Sequence, residues 1–223
     1  MRILDEYCAF NRIYKLDGGL SVGRHKVKDV RAALSEEMAR YISSLSLSYG
    51  AISPVPNTGG LYTHVLSELL GMPEIKIFEK ETVERTLGAQ VAEREGYYKK
   101  YLRCIESNKC VDKKVLFVDE ALLSGLTVQL ISKACKENGI DNYSFAFMSP
   151  VNHLSCPFGH IVNTSRIFPY LNNGSYEERI ENFRKIVGAQ EIIFLPYESF
   201  AMKVGGDSVC KLCFHNCGGG LRT

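Results

Sequence analysis

Long apolar runs and net charge are both scarce in this sequence. No stretch approaches the ~18 consecutive apolar residues that a bilayer-spanning helix needs, so no membrane partner is expected. Lys and Arg number 27 against 25 Asp and Glu, a formal net charge of +2. No global basic or acidic excess therefore points to nucleic acid or an anionic surface. Asp5 and Glu6 stand where a secretory signal peptide would have its apolar stretch, and a cytoplasmic location is expected. No internal repeat is found, and no linker marks a second domain. Residues 1–223 are read as one domain.

What is present is an ordinary globular composition of 45% hydrophobic, 23% charged and 10% aromatic residues. The length of 223 residues suits one well-buried α/β domain. Eight cysteines are more than a plain core requires, yet the chain is too large and core-rich for a disulfide scaffold. Each thiol is then a core filler or a metal ligand.

Aromatic and β-branched residues from Tyr7 to Tyr14 predict a strand or extended arm, and Asp17-Gly18-Gly19 marks a turn. Val27, Val30, Leu34, Met38, Tyr41, Ile42 and Leu45 recur at helical spacing, predicting an amphipathic helix over 26–47. Strands and helices then alternate. A short strand at 51–55 leads through Pro56-Asn57-Thr58-Gly59-Gly60 to a helix over 61–70, and a strand follows at 74–78. Residues 79–113 are charged, tyrosine-rich and aperiodic, and are read as a flexible flap with some helix. The clearest buried strand is 114–119, and a helix over 126–137 comes after it. Strands at 143–148 and 159–162, a helix over 176–187 and a strand at 191–195 precede a Gly- and Cys-rich tail, about 205–223. Strand–helix–strand spacing of this kind predicts an α/β fold built from crossovers on a mainly parallel sheet.

The chemistry concentrates where strand 114–119 ends. Asp119 and Glu120 are adjacent acids, followed by Ala121-Leu122-Leu123-Ser124-Gly125-Leu126-Thr127 and a helix start. Ligands of open α/β sheets bind outside the carboxyl ends of strands. A helix N-terminus offers unpaired N–H groups to a phosphate. Ser124 and Thr127 add hydroxyl donors, and the two carboxylates can accept from sugar hydroxyls. Plain helix capping explains the same spacing without a ligand. The bend at 54–60 is likewise a second phosphate loop or simply a tight glycine turn.

The 115–127 segment resembles the phosphoribosyl pyrophosphate (PRPP) motif of type I phosphoribosyltransferases. The likeness implies that Asp119 and Glu120 hold the ribose hydroxyls and that Ala121 through Thr127 wrap the 5′-phosphate. That family usually has Asp-Asp or Glu-Asp where Asp-Glu stands here. Pro54-Val55-Pro56-Asn57-Thr58-Gly59 resembles the pyrophosphate loop of the amidophosphoribosyltransferase family, with Asn57 in place of an acid and Thr58 in place of a serine. Further matches in the same order are Thr82 through Leu87, Ser149-Pro150, Cys156-Pro157-Phe158-Gly159, and Ser175 through Ala189. The resemblance runs from about Cys8 to Cys213. It implies that Arg85 and Lys80 reach pyrophosphate, although Glu79-Lys80-Glu81 replaces a more basic cluster. The family's glutaminase portion has no counterpart, so an external ammonia source is expected.

Cys210-Lys211-Leu212-Cys213 is a CxxC, a spacing shared by zinc, iron–sulfur and redox sites. Some members of the resembled family hold a [4Fe–4S] cluster, and the corresponding positions here are Cys8, Cys156, Cys210 and Cys213. The alternative is Zn²⁺ on Cys210, Cys213, Cys217 and His215. Cys135 is expected in the core. Cys104 and Cys110 fall in the flap, and His153 and His160 are read as structural.

The resemblance thus implies a PRPP-dependent, Mg²⁺-assisted transferase acting on ammonia or another small nitrogen nucleophile. Its partners would be PRPP, that nucleophile and a separate ammonia-producing protein, with homo-oligomerisation left open. The alternative is a non-catalytic PRPP- or nucleotide-sensing protein with an iron–sulfur or zinc site.

Overall fold

The chain alternates strands and helices, and the main strands pair in parallel. A computed structural model describes residues 7–14, 16–22, 25–56, 59–81, 96, 102–110, 112–152 and 175–214. Ser21–Val22 (β1) and His25–Lys26 (β2) form a short antiparallel pair. Ala51–Pro54 (β3) belongs to the main sheet. Phe78–Lys80 (β4) pairs antiparallel with Leu102–Cys104 (β5). Val115–Asp119 (β6), Tyr143–Phe147 (β7) and Ile192–Phe194 (β8) complete the main sheet, whose order is β3-β6-β7-β8, parallel throughout.

β6 and β7 are buried along their whole length, as expected for parallel strands covered on both faces. The period-two alternation of side chains divides the core in two. Leu116, Val118, Ala146 and Met148 point into one cluster. There they meet the helices Ala9–Tyr14, Val27–Ser44, Gly60–Leu70 and Tyr197–Val204. Val115, Phe117, Phe145 and Phe147 face the other cluster with the helices Leu126–Glu137 and Tyr176–Val187. Across that second face Phe117 stacks on Phe145 with centroids 5.5 Å apart, and Phe147 on Phe194 at 5.2 Å. Such aromatic cross-strand pairs are worth roughly 0.5–1.5 kcal/mol beyond their burial.

The helix over 126–137 has the bounds expected from the sequence. The helix over 176–187 also does, and its start is fixed by a reciprocal cap. Glu178 N donates to Ser175 Oγ at 3.3 Å, and Ser175 N donates to Glu178 Oε2 at 2.6 Å.

Three expectations change. Residues 7–14 are not an extended arm, because Ala9–Tyr14 is a helix. The strand expected at 74–78 reduces to one bridge, Ile52 with Glu74, before β4 begins at Phe78. The expected flap contributes β4, β5 and the 3-10 turn Ser107–Cys110, whereas 82–95 and 97–101 lie outside the described residues. The strand expected at 159–162 lies outside them as well. Among the described residues, no helix is long and apolar enough to cross a membrane.

Candidate functional site

The site is built where β3 and β6 end side by side. Val55 N donates to Val118 O at 2.8 Å, carrying the ladder one step past the strand. The chain then bends, and Gly59 N donates back to Val55 O at 3.1 Å. Gly59 lies so close to β6 that a Cβ there would stand 2.1 Å from Val118 O and 2.9 Å from Val55 N. Only glycine fits such a backbone approach. Gly59 O in turn accepts from Thr63 N and Thr63 Oγ1, each at 2.8 Å, anchoring the bend to the Gly60–Leu70 helix. The two bends singled out in the sequence therefore converge, with the first seated on the residue before Asp119.

Asp119 and Glu120 are 9% and 3% exposed. Asp119 Oδ1 accepts from Glu120 N at 2.9 Å. Beyond them Leu122 is buried in the second core cluster, while Ala121 and Leu123 pack against the first. Those side chains hold the turn in place, so any phosphate contact from them is through backbone N–H groups. Gly125 has φ 68° and begins the Leu126–Glu137 helix from the left-handed region. Leu126 N donates to Ser124 Oγ at 3.4 Å. Thr127 follows in the first helical turn, where N–H groups lack helical partners.

Behind the acids lies a buried tyrosine that sequence reasoning did not single out. Tyr62 is 1% exposed, and its hydroxyl donates to Ile13 O at 3.0 Å. Burial pushes that hydroxyl well above its usual pKa. Arg31 pulls it back down, and Glu120 and Asp119 add to the rise. Arg31 itself donates to Arg12 O at 3.1 Å and Leu16 O at 2.7 Å. The acids thus share an electrostatic neighbourhood with the N-terminal helix. An aromatic residue three positions after the loop glycine was the available signal.

Cysteines from both ends of the chain also meet. Cys8 and Cys210 form a parallel bridge, with Ala9 N donating to Cys210 O at 3.0 Å and Cys210 N to Tyr7 O at 2.7 Å. Cys213 follows in the 3-10 turn Leu212–Phe214 and is buried in the same core cluster as Cys8. Arg12 fastens the tail again by donating to Val204 O at 2.6 Å. Among the described residues, no group of three or more His, Cys, Asp or Glu has metal-holding geometry. Cys135 is fully buried against the sheet, as expected, and burial raises its thiol pKa.

Lys80 lies on the separate β4–β5 pair, opposite Leu102. Asn57, Thr58, Arg85 and Cys156 lie outside the described residues, as do His153, His160, His215 and Cys217.

No family model matches the sequence. The chain is 26% identical over 211 residues to the amidophosphoribosyltransferase of Saccharomyces cerevisiae, covering 93% of this chain and 39% of that protein. It is 28% identical over 104 residues to the chloroplastic amidophosphoribosyltransferase of Glycine max, covering 46% of this chain and 17% of that protein. In structure it is similar to the glutamine PRPP amidotransferase of B. subtilis complexed with ADP and GMP. That match has a TM-score of 0.71 at 20% identity, over 93% of this chain and 45% of the other. A second solved structure, an allosteric regulatory enzyme of purine biosynthesis, matches with a TM-score of 0.71 at 19% identity, over 93% and 44%. The chain spans less than half the length of these relatives. Its fold is the type I phosphoribosyltransferase fold, a parallel sheet flanked by helices.

Proposed function

We propose that this chain binds PRPP across the two converging bends and transfers its phosphoribosyl group to a nitrogen nucleophile, ammonia or another amine. The observation that carries this reading is the seating of Gly59 on the Val118 carbonyl. It brings a bend resembling a pyrophosphate loop to within one residue of the paired acids. The sequence relatives, all amidophosphoribosyltransferases by name, support the same choice.

In the reaction the nitrogen lone pair forms a bond to C1 of the ribose. The bond from C1 to the pyrophosphate oxygen breaks, and its electron pair leaves with pyrophosphate. The nitrogen releases its surplus proton to solvent. Positive charge grows on the sugar ring during the exchange, so orientation and fixed negative charge nearby do most of the work. Asp119 and Glu120 accept hydrogen bonds from two ribose hydroxyls, fixing the sugar. The turn from Ala121 to Thr127 receives the 5′-phosphate on backbone N–H groups at a helix N-terminus. Gly59, with Asn57 and Thr58, cradles the pyrophosphate. Lys80 and Arg85 supply positive charge to it, Arg85 as the catalytic cation alongside the two acids.

Mg²⁺ is the expected companion of the diphosphate, and the oxygen donors of Asp119 and Glu120 suit a hard cation. Bound there, it would neutralise phosphate charge. The thiols of Cys8, Cys210 and Cys213, with Cys156 as fourth, suit a [4Fe–4S] cluster in donor chemistry. The cluster would tie the tail to the N-terminal helix, a connection that the backbone bridge between Cys8 and Cys210 also makes. Zn²⁺ is the competing occupant.

The test is pyrophosphate release from PRPP with Mg²⁺, using ammonia and a panel of amines, on wild type and Asp119→Asn. Turnover by wild type that falls in the variant is expected. No release with any amine would overturn the transferase reading.

A further inference from the structure

β7 ends at Phe147, which stands opposite Asp119 in the parallel register. The chain then turns through Ser149-Pro150-Val151-Asn152. Met148 N donates to Asp119 O at 3.1 Å, so this turn leaves the sheet directly beside the paired acids. That is the carboxyl-end side of the strands, where an open α/β sheet receives its ligand.

Two polar side chains are buried in the turn. Ser149 is 0% exposed and Asn152 4%. Among the described residues, Ser149 Oγ, Asn152 Oδ1 and Asn152 Nδ2 have no hydrogen-bond partner. Leaving buried groups of this kind unmet costs roughly 1–3 kcal/mol apiece. Buried serines elsewhere on the same sheet are satisfied. Ser144 Oγ accepts from Glu191 N at 3.2 Å, and Ser53 Oγ accepts from Ile77 N at 3.3 Å. A carboxamide buried with both ends unmet, one turn from a sugar site, suits a substrate that supplies both partners.

We propose that Ser149 and Asn152 read the acceptor, and that the acceptor is an amine carrying a carboxamide rather than bare ammonia. This rests on the PRPP reading above and narrows it. The asparagine amide presents one acceptor and one donor on a single edge. Ammonia can donate to Asn152 Oδ1, but its one lone pair must attack C1, so Asn152 Nδ2 stays unmet. A carboxamide supplies an N–H to Oδ1 and a C=O to Nδ2 while a separate amine attacks. The Ser149 hydroxyl can rotate to either role. A site with buried groups of this type discriminates strongly against a partner that lacks the matching group.

The experiment measures pyrophosphate release by the full chain at saturating PRPP with Mg²⁺, using ammonia, n-propylamine and glycinamide as acceptors. Glycinamide should exceed both others in kcat/KM by about tenfold or more, the worth of one well-made buried hydrogen bond to a matched group. Asn152→Asp, which keeps the shape and removes the donor, should raise the glycinamide KM and narrow its preference over n-propylamine. Ser149→Ala should act in the same direction. Ser149→Ala, which adds no charge, should keep the wild-type PRPP affinity by calorimetry, which a merely structural role would not guarantee. Ammonia as the best acceptor, or unchanged selectivity in both variants, overturns the acceptor assignment alone. If Asn152→Asp fails to fold, wild-type selectivity and Ser149→Ala still decide. Absence of PRPP binding by wild type removes the underlying reading as well, and so separates the two failures.

Discussion

Gly59 rests on the carbonyl of Val118 with room for no side-chain carbon, since a Cβ would stand 2.1 Å from that oxygen. The same carbonyl accepts from Val55 N at 2.8 Å. One backbone oxygen thus fixes the spacing between the loop after β3 and the acids after β6.

Gly59→Ala should therefore be among the most damaging single-methyl changes in the chain. Its contacts are backbone atoms, which cannot swing aside, so a loss of about 2–4 kcal/mol is expected, in the range of severe steric changes. Gly60→Ala is the matched control. Nothing lies within 4 Å of a Cβ there, and alanine in a helix gains up to ~1 kcal/mol over glycine. Thermal denaturation of both variants checks the contrast, and equal melting temperatures would contradict it.

Asp119→Asn retains an oxygen to accept from Glu120 N, a bond of 2.9 Å in the wild type, and removes the negative charge. Folding should survive while PRPP affinity falls. Hydrogen bonds to charged groups are worth about 1.5–3 kcal/mol, so a loss of roughly ten- to a hundredfold is expected. Titration of PRPP into the variant measures it.

The cysteine proposal separates cleanly by position. Cys8→Ser removes a proposed ligand thiol and leaves the backbone bridge between Cys8 and Cys210 intact, and anaerobically purified protein should lose iron, sulfide and visible absorbance together. Cys135→Ala lies in the core behind β6 and β7, and should leave metal content unchanged while lowering stability. A colourless wild-type protein with one zinc per chain would replace the cluster with the competing metal.

Acid titration tests the Tyr176–Val187 helix. Glu181 is held down to about 2 from 4.5, first by the hydrogen bonds from Arg184 at 2.6 Å and 2.7 Å, and further by Lys185. A depressed carboxylate contributes stability that is present above its unfolded pKa and lost as pH falls through the folded one. The difference in melting temperature between wild type and Glu181→Gln should be full above about pH 4.5 and vanish near pH 2. The groups are at least partly solvent-accessible, so the difference should be small and shrink further with salt.

Much of the sheet was legible because its signals are local. β6 is an uninterrupted apolar run ending in acids, and Gly125 and the Ser175–Glu178 pair announce the starts of their helices. Ala9–Tyr14 was not legible as a helix because five of its six residues are buried. Its polar residues Asn11 and Arg12 are buried along with its apolar ones, so six residues carry no apolar–polar period to read. Tyr197–Val204 was missed for another reason. It spans only eight residues between Pro196 and Gly205, too short for a periodic pattern to emerge. At the site, Asp119, Glu120 and Gly59 could be named from their neighbours in sequence. Tyr62 offered only its place three residues after the loop glycine, and Ser149 only a matched segment; what marks them and Asn152 at the site is burial beside distant groups, a property of packing.

Calorimetric titration of PRPP with Mg²⁺ into the wild-type chain and Asp119→Asn is the most direct measurement. The converging bends predict saturable heat in the wild type, near one ligand per chain, and a much weaker response in the variant. No heat in the wild type, or identical isotherms for the two proteins, would contradict the assignment of the sugar-phosphate site.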